Sequence, residues 1–259
     1  GLKIYCLDPS NNLASMSKGF AAKIFFSATL TPAKYYIDAL GGSQEDYTLS
    51  VPSPFSINQL EVQILGLSTK YRERESTAEA VAAVIRTHAA NKDNYLVFFP
   101  SYQYLMMVTA YLEDLGETHK VLVQSQGMNE EERSAFLAAF EQESEKSVIG
   151  FAVMGGVFSE GIDLIGEALC GVIIIGTGMP QVNEDRNLIK DYYQSLGVNG
   201  FDYAYVYPGM NKVMQAGGRL IRTEQDRGKL ILIDDRFLTK KYQALFPALW
   251  TKCLKRSEQ

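Results

Sequence analysis

Gln215, Arg219 and Arg222 stand four and three residues apart in the stretch QAGGRLIRTEQDRG. On a helix that spacing sets one amide and two guanidiniums on a common face. A guanidinium is a planar fork that meets two phosphate oxygens at once, so the trio suits a phosphate-bearing ligand better than a metal ion. Gly217 and Gly218 lie between them. Inside a helix such a pair costs about 1.5–2 kcal/mol relative to alanine, a cost expected where another surface must approach closely. The competing explanation is a solvated helix face that packs tightly at its glycines.

Three further stretches carry chemistry-bearing groups. MGGVFSEGIDLIGE, residues 154–167, combines Gly155, Gly156, Gly161 and Gly166 with Ser159, Glu160 and Asp163. Its glycines admit positive φ, and its carboxylates can hold a ribose hydroxyl or an arginine. FFPSYQY offers Ser101, Tyr102 and Tyr104, suited to a phosphate contact and a stacked base, although aromatics beside a strand are often core. FSATLT carries Ser27 and Thr29, hydroxyls able to bond across a domain seam, with Thr31 expected as a helix cap. GTGMPQ, residues 176–181, fails as a dinucleotide fingerprint because Gln181 occupies the place of its third glycine.

The elements that must position these groups alternate. Apolar runs at 24–26, 61–65, around 95–99, 121–124, 147–154, 170–175 and 230–233 read as strands. Helical patterns lie between them: from Pro32 to the Gly41-Gly42 stop, from a Ser76/Glu79 capping box to Ala90, from Ser101 to Gly116, from an Asn129/Glu132 capping box to Phe140, at 184–196 and at 210–223. This alternation predicts an α/β fold, a three-layer domain with a mostly parallel sheet covered by helices on both faces. In such sheets ligands gather at the carboxyl ends of the strands, which directs attention to the loops after Phe26, Phe99, Met154 and Ile175.

The totals exclude several classes. With 259 residues, 46% of them hydrophobic, the chain can bury a full core, and no apolar run spans a bilayer. A net charge of −5 excludes a globally basic nucleic-acid coat protein but leaves room for a local basic groove. Cys6, Cys170 and Cys253 are too dispersed for zinc or a disulfide framework and are expected as buried thiols in a reducing, cytoplasmic setting. His88 and His119 have no companion ligands, so no metal is expected. The chain opens on Gly1 rather than Met, which reads as a part of a larger protein.

Taken in order, SATL (27–30), FFPSY (98–102), GGVFSEGID (155–163) and QAGGRLIR (215–222) resemble motifs III to VI of superfamily 2 DNA helicases, most closely the DinG and XPD group. IDDRF (233–237) is similar to that group's final strand end. The resemblance spans nearly the whole chain; the arginine and SEGxD elements are specific, whereas SATL alone is common.

The resemblance implies a RecA-like fold, ATP held between two motor domains, and translocation from 5′ to 3′ on single-stranded DNA. It makes Arg219 and Arg222 arginine fingers with Gln215 near the γ-phosphate, and Glu160, Gly161 and Asp163 the elements that sense the nucleotide. Ser101, Tyr102 and Ser159 fall to the DNA groove. No GxxxxGK[ST] loop and no acidic box for Mg²⁺ occur, so ATP and Mg²⁺ are expected to rest mainly on an absent first motor domain, leaving this chain inactive alone. Residues 1–45 are then the tail of that first domain with a linker, and 46–259 the second RecA-like domain. The expected partners are single-stranded DNA and the first motor domain, with no membrane. The alternative is a non-catalytic nucleic-acid-binding or regulatory RecA-like module.

Overall fold

In the computed structural model the described residues are 3–43, 45–90, 93–142, 144–156, 158, 164 and 166–255. Two short helices come first, α1 (Ser10–Met16) and α2 (Ala33–Ala39). Strand β1 (Leu60–Leu65) leads to α3 (Arg74–Ala89), and β2 (Tyr95–Phe99) leads to α4 (Tyr102–Thr109) and the single turn α5 (Leu115–Thr118). Next are strand β3 (His119–Val123), α6 (Glu130–Glu141), β4 (Ser147–Val153) and β5 (Gly171–Ile175). Then come α7 (Glu184–Ser195), a π-helical stretch Asp202–Val206, α8 (Tyr207–Gly217), β6 (Gly228–Ile233), α9 (Lys240–Gln243) and α10 (Ala248–Cys253).

The chain forms two compact units. One comprises Ser53–Gly178 and Lys212–Gln259; the other joins Gly1–Pro52 to Met179–Asn211. The first unit holds a six-stranded sheet in the order β1-β6-β5-β2-β4-β3, every pair parallel. Each parallel neighbour requires a crossover, and the crossovers carry the helices. The central strands β2 and β5 are buried along their whole length, as expected of strands covered on both faces. Residues of one parity, among them Val97, Phe99, Phe151 and Ile173, pack with Val81 and Ile85 of α3 and Leu105 of α4. On the other face Gly150 makes room for Phe136 and Phe140 of α6. The second unit is rich in tyrosine contacts. Tyr193 and Tyr203 lie 4.6 Å apart, the Tyr203 hydroxyl donates to Asp38, and Tyr192 donates to Asp8 at 2.8 Å.

Several local expectations shift. α3 opens at Arg74 rather than at Ser76, whose hydroxyl instead donates back to the Glu73 carbonyl at 2.9 Å. α2 starts one residue later than expected, with Pro32 in the capping place. α4 ends by Thr109 rather than at Gly116, and α8 ends at Gly217 rather than at Thr223. The strand expected at 24–26 is absent; among the described residues its unit contains no strand able to pair with it, and an unpaired strand leaves its N–H and C=O groups without a ladder. Ile24 and Phe26 are accordingly exposed, at 84% and 90%. Of the three thiols only Cys253 is buried; Cys6 is exposed and Cys170 half-buried.

The capping box of α6 forms as its sequence demands. The Asn129 side chain accepts the Glu132 N–H at 2.9 Å and the Glu132 carboxylate accepts the Asn129 N–H at 2.8 Å. At the far end of β6 the wholly buried Asp234 receives the Thr69 hydroxyl, Nε and Nη2 of Arg236 at 2.7 and 2.8 Å, and the Arg236 N–H at 2.9 Å. Burial works to raise the Asp234 pKa, but the Arg236 guanidinium and the Thr69 hydroxyl outweigh it and hold the carboxyl below its ordinary value.

Two measurements check these contacts. Asn129→Ala should lower stability by about 1 kcal/mol, read as an earlier urea midpoint at unchanged slope; an unmoved midpoint would contradict the cap. Because the folded carboxyl of Asp234 titrates below its unfolded value of about 3.9, its stabilising effect is complete above that pH and is lost as pH falls further. Unfolding midpoints traced from pH 6 to pH 2 should therefore decline less steeply in Asp234→Asn, and equal acid slopes would contradict the account.

Candidate functional site

The arginine stretch lies beyond a helix rather than on one. Gly217 is the last residue of α8, and a Cβ there would stand 2.5 Å from the Trp250 ring of α10, so only glycine lets the two elements meet. Past it the chain tightens through N–H bonds from Arg219 to the Ala216 carbonyl and from Leu220 to the Gly217 carbonyl. Gln215 stays on α8, but Arg219 and Arg222 do not share its helical face. Their spacing survives for another reason. Leu220 and Ile221, between them, are buried and pin the backbone, leaving both arginines half-buried.

The backbone beyond Arg222 is held by two polar side chains that belong to none of the sequence motifs. The Asp226 carboxylate accepts the backbone N–H groups of Arg222 and Thr223, each at 2.7 Å, and of Gly166 at 2.9 Å. The Gln59 amide, just ahead of β1, donates to the carbonyls of Thr223, Glu224 and Asp226 at 2.9, 3.1 and 2.9 Å. Asp226 is 2% exposed; burial works to raise its pKa, yet the backbone donors prevail and keep it ionised. The Arg222 guanidinium feels burial, which lowers its pKa, and the Asp226 charge, which opposes that. A lone Asp and Gln among loop residues give little signal in the sequence, apart from the Asp226-Arg-Gly228 turn before an apolar run.

These anchors define a place. Gln59 precedes β1, Gly166 precedes β5 and Asp226 precedes β6, so the arginine stretch lies at the amino-terminal edge of the sheet. Ser101 and Tyr102 lie at the opposite, carboxyl-terminal edge, after β2. There Ser101 caps α4, its oxygen accepting the Tyr104 N–H at 3.3 Å and Nη1 of Arg74 at 3.4 Å. The Tyr102 hydroxyl is 3.5 Å from the Ser125 carbonyl. Tyr104, a candidate for stacking a base, is fully buried in the core against Phe99. The structure thus does not gather all of the candidates on one rim; it separates them between two.

Ser159, Glu160, Gly161 and Asp163 lie outside the described residues. The start of their segment is defined: Gly155 adopts φ of 73°, and a Cβ on it would stand 2.9 Å from Cε of Lys212 on α8. Among the described residues no group of three or more His, Cys, Asp and Glu side chains is placed to hold a metal ion, and no helix is long and apolar enough to cross a membrane.

Comparison with known proteins gives these features a family. A family model described as a helicase C-terminal domain matches residues 84–253. The ATP-dependent DNA helicase DinG of Photobacterium profundum is 30% identical over 238 residues, covering 88% of this chain and 34% of that protein. A regulator of telomere elongation helicase 1 homolog from Arabidopsis thaliana is 28% identical over 301 residues, covering 98% and 28%. Among solved structures, an XPD helicase superposes with a TM-score of 0.74 at 21% identity, over 95% of this chain and 44% of that one, which establishes the shared RecA-like fold. The chain spans about a third of the length of the curated relatives it matches. Fold and sequence together place the chain in the helicase C-terminal domain family, alongside DinG and XPD helicases.

Proposed function

We propose that this chain is the second motor domain of an ATP-dependent DNA helicase, lending Arg219 and Arg222 to a nucleotide held by a first motor domain. The observation that carries the reading is the Asp226 clamp. The buried carboxylate and buried amide that join three strand entries hold six backbone groups, among them the Arg222 N–H, and so fix the backbone from which that arginine extends. Preorganised donors of this kind stabilise charge that develops during phosphoryl transfer without reorganising at the moment of reaction. ATP supplies the phosphoanhydride whose cleavage drives the cycle, with Mg²⁺ held by the first domain.

Gln215, one turn before Arg219, would meet the γ-phosphate. Glu160, Gly161 and Asp163 link nucleotide state to closure of the two domains. Residues 1–45 belong to the first motor domain, and the uncovered apolar run at 24–26 is the strand that domain's sheet would take up. Ser101, Tyr102 and Ser159 contact phosphates and bases of single-stranded DNA without reading sequence, as a translocating motor requires. The direction of travel is 5′ to 3′.

In the intact protein, Arg222→Ala should lower DNA-stimulated ATP turnover by about 10³-fold or more while DNA affinity changes no more than a few-fold. Undiminished turnover would refute the assignment. Asp226→Asn, whose single NH2 must face either the Gly166 N–H or those of Arg222 and Thr223, should reduce kcat at least tenfold with little change in the KM for ATP; a change confined to KM would show that Asp226 does not position the arginine.

A further inference from the structure

At the carboxyl edge, the residues leading from β1 into the start of α3 read Thr69-Lys-Tyr-Arg-Glu-Arg74, a basic and aromatic cluster in an otherwise acidic chain. The Lys70 ammonium is taken by Asp235 at 2.6 Å. Arg74 is held differently. Its Nε donates to the Thr69 carbonyl at 3.1 Å, its Nη1 to Ser101, and its guanidinium lies 5.0 Å from the centre of the Tyr104 ring and 5.7 Å from that of Tyr71. Among the described residues it makes no ion pair with a carboxylate. The result is a layered stack: a buried Tyr104, a half-buried guanidinium, and a Tyr71 ring that is 74% exposed.

A cavity of about 260 Å³ opens here, with Tyr71, Arg72 and Arg74 on one side and Gln103, Tyr104 and Met107 on the other. That volume lies below the roughly 300–1,000 Å³ of a cofactor or drug-sized site and suits a single nucleotide unit. Among the described residues Glu75 is the one carboxylate in its lining, against two guanidiniums. Charge therefore favours an anionic ligand, and the open tyrosine face favours a planar ring.

We infer that this groove is a nucleotide-binding subsite for single-stranded DNA, in which a base stacks on Tyr71 and Arg72 meets the adjoining phosphate. Arg74 acts as a positioning residue, fixing both the Tyr71 ring and the Ser101 hydroxyl. The inference rests on the helicase reading and extends its strand path from Ser101 toward the β1 side of the carboxyl edge. A ring held on a fixed cation loses little freedom when a base stacks on it, so its exposure becomes binding energy.

The test is fluorescence anisotropy of a labelled oligo(dT) strand with the intact protein and its Tyr71→Ala, Tyr71→Trp and Arg72→Ala variants, each titrated at several salt concentrations. Tyr71→Ala should weaken binding by about 5- to 100-fold, the range of one lost base stack, and Tyr71→Trp should bind as the parent does. Arg72→Ala should reduce the slope of log affinity against log salt by about 0.7, one phosphate contact on a single strand. If the parent binds DNA and Tyr71→Ala binds equally well, the groove is overturned while the motor reading stands. Loss of binding in both the Ala and the Trp variants overturns stacking, and an unchanged salt slope in Arg72→Ala overturns the phosphate contact. A parent protein with no affinity for the strand overturns the motor reading and this inference with it.

Discussion

The Asp226 carboxylate is the interaction on which the rest of the arrangement depends. Three strands of a parallel sheet begin side by side at β1, β6 and β5, and the chain reaches each of those beginnings by a different route. Asp226 and Gln59 bind the three entries to one another: Gly166, Arg222 and Thr223 through the carboxylate, and Thr223, Glu224 and Asp226 through the amide. A buried carboxylate without such donors is costly, whereas hydrogen bonds to a charged acceptor contribute about 1.5–3 kcal/mol each. The same contacts that make the charge tolerable leave the backbone of Arg222 a single position.

The polarity of the sheet then divides labour. All six strands point one way, so one edge presents the anchored arginines and the other presents Ser101, Tyr102 and the Tyr71 groove. On the proposed reading, nucleotide is met at the amino edge and the strand at the carboxyl edge. The stretch from Lys212 to Gly217 on α8 covers part of that distance, with the Lys212 side chain beside Gly155 at one end and Arg219 just past the other. From Lys212 to Gly217 the helix advances only about 7–8 Å, a short stiff connection rather than a flexible tether. Gly217 allows that connection to lie tight against Trp250, and a side chain there would push it off the α10 surface.

Much of this was legible in the residues. Strand and helix alternation, the Asn129 capping box and the motif order carried the fold class and the family, because hydrophobic period and cap chemistry are local properties. The end of α8 was not legible in the same way. An i, i+3 arginine pair looks helical, yet the backbone N–H groups of Arg222 and Thr223, which a longer helix would turn to its own carbonyls, are taken by Asp226. Asp226 and Gln59 were missed since each is an unremarkable polar residue until β1 and β6 pair, 167 residues apart in sequence. Tyr104 and Tyr71 show the converse: both are tyrosines near strand ends, and only packing separates a core ring from an open one. The strand expected at 24–26 required a sheet to join, which no local pattern can supply.

The central claim is that the anchored arginine stretch completes a nucleotide site on another motor domain. A structure of the intact protein with Mg²⁺ and a non-hydrolysable ATP analogue tests it most directly. The account predicts Arg219 and Arg222 guanidiniums within about 3 Å of terminal phosphate oxygens, with the Asp226 contacts unchanged. A bound analogue whose phosphates meet neither arginine, with both side chains turned into this domain, would contradict it.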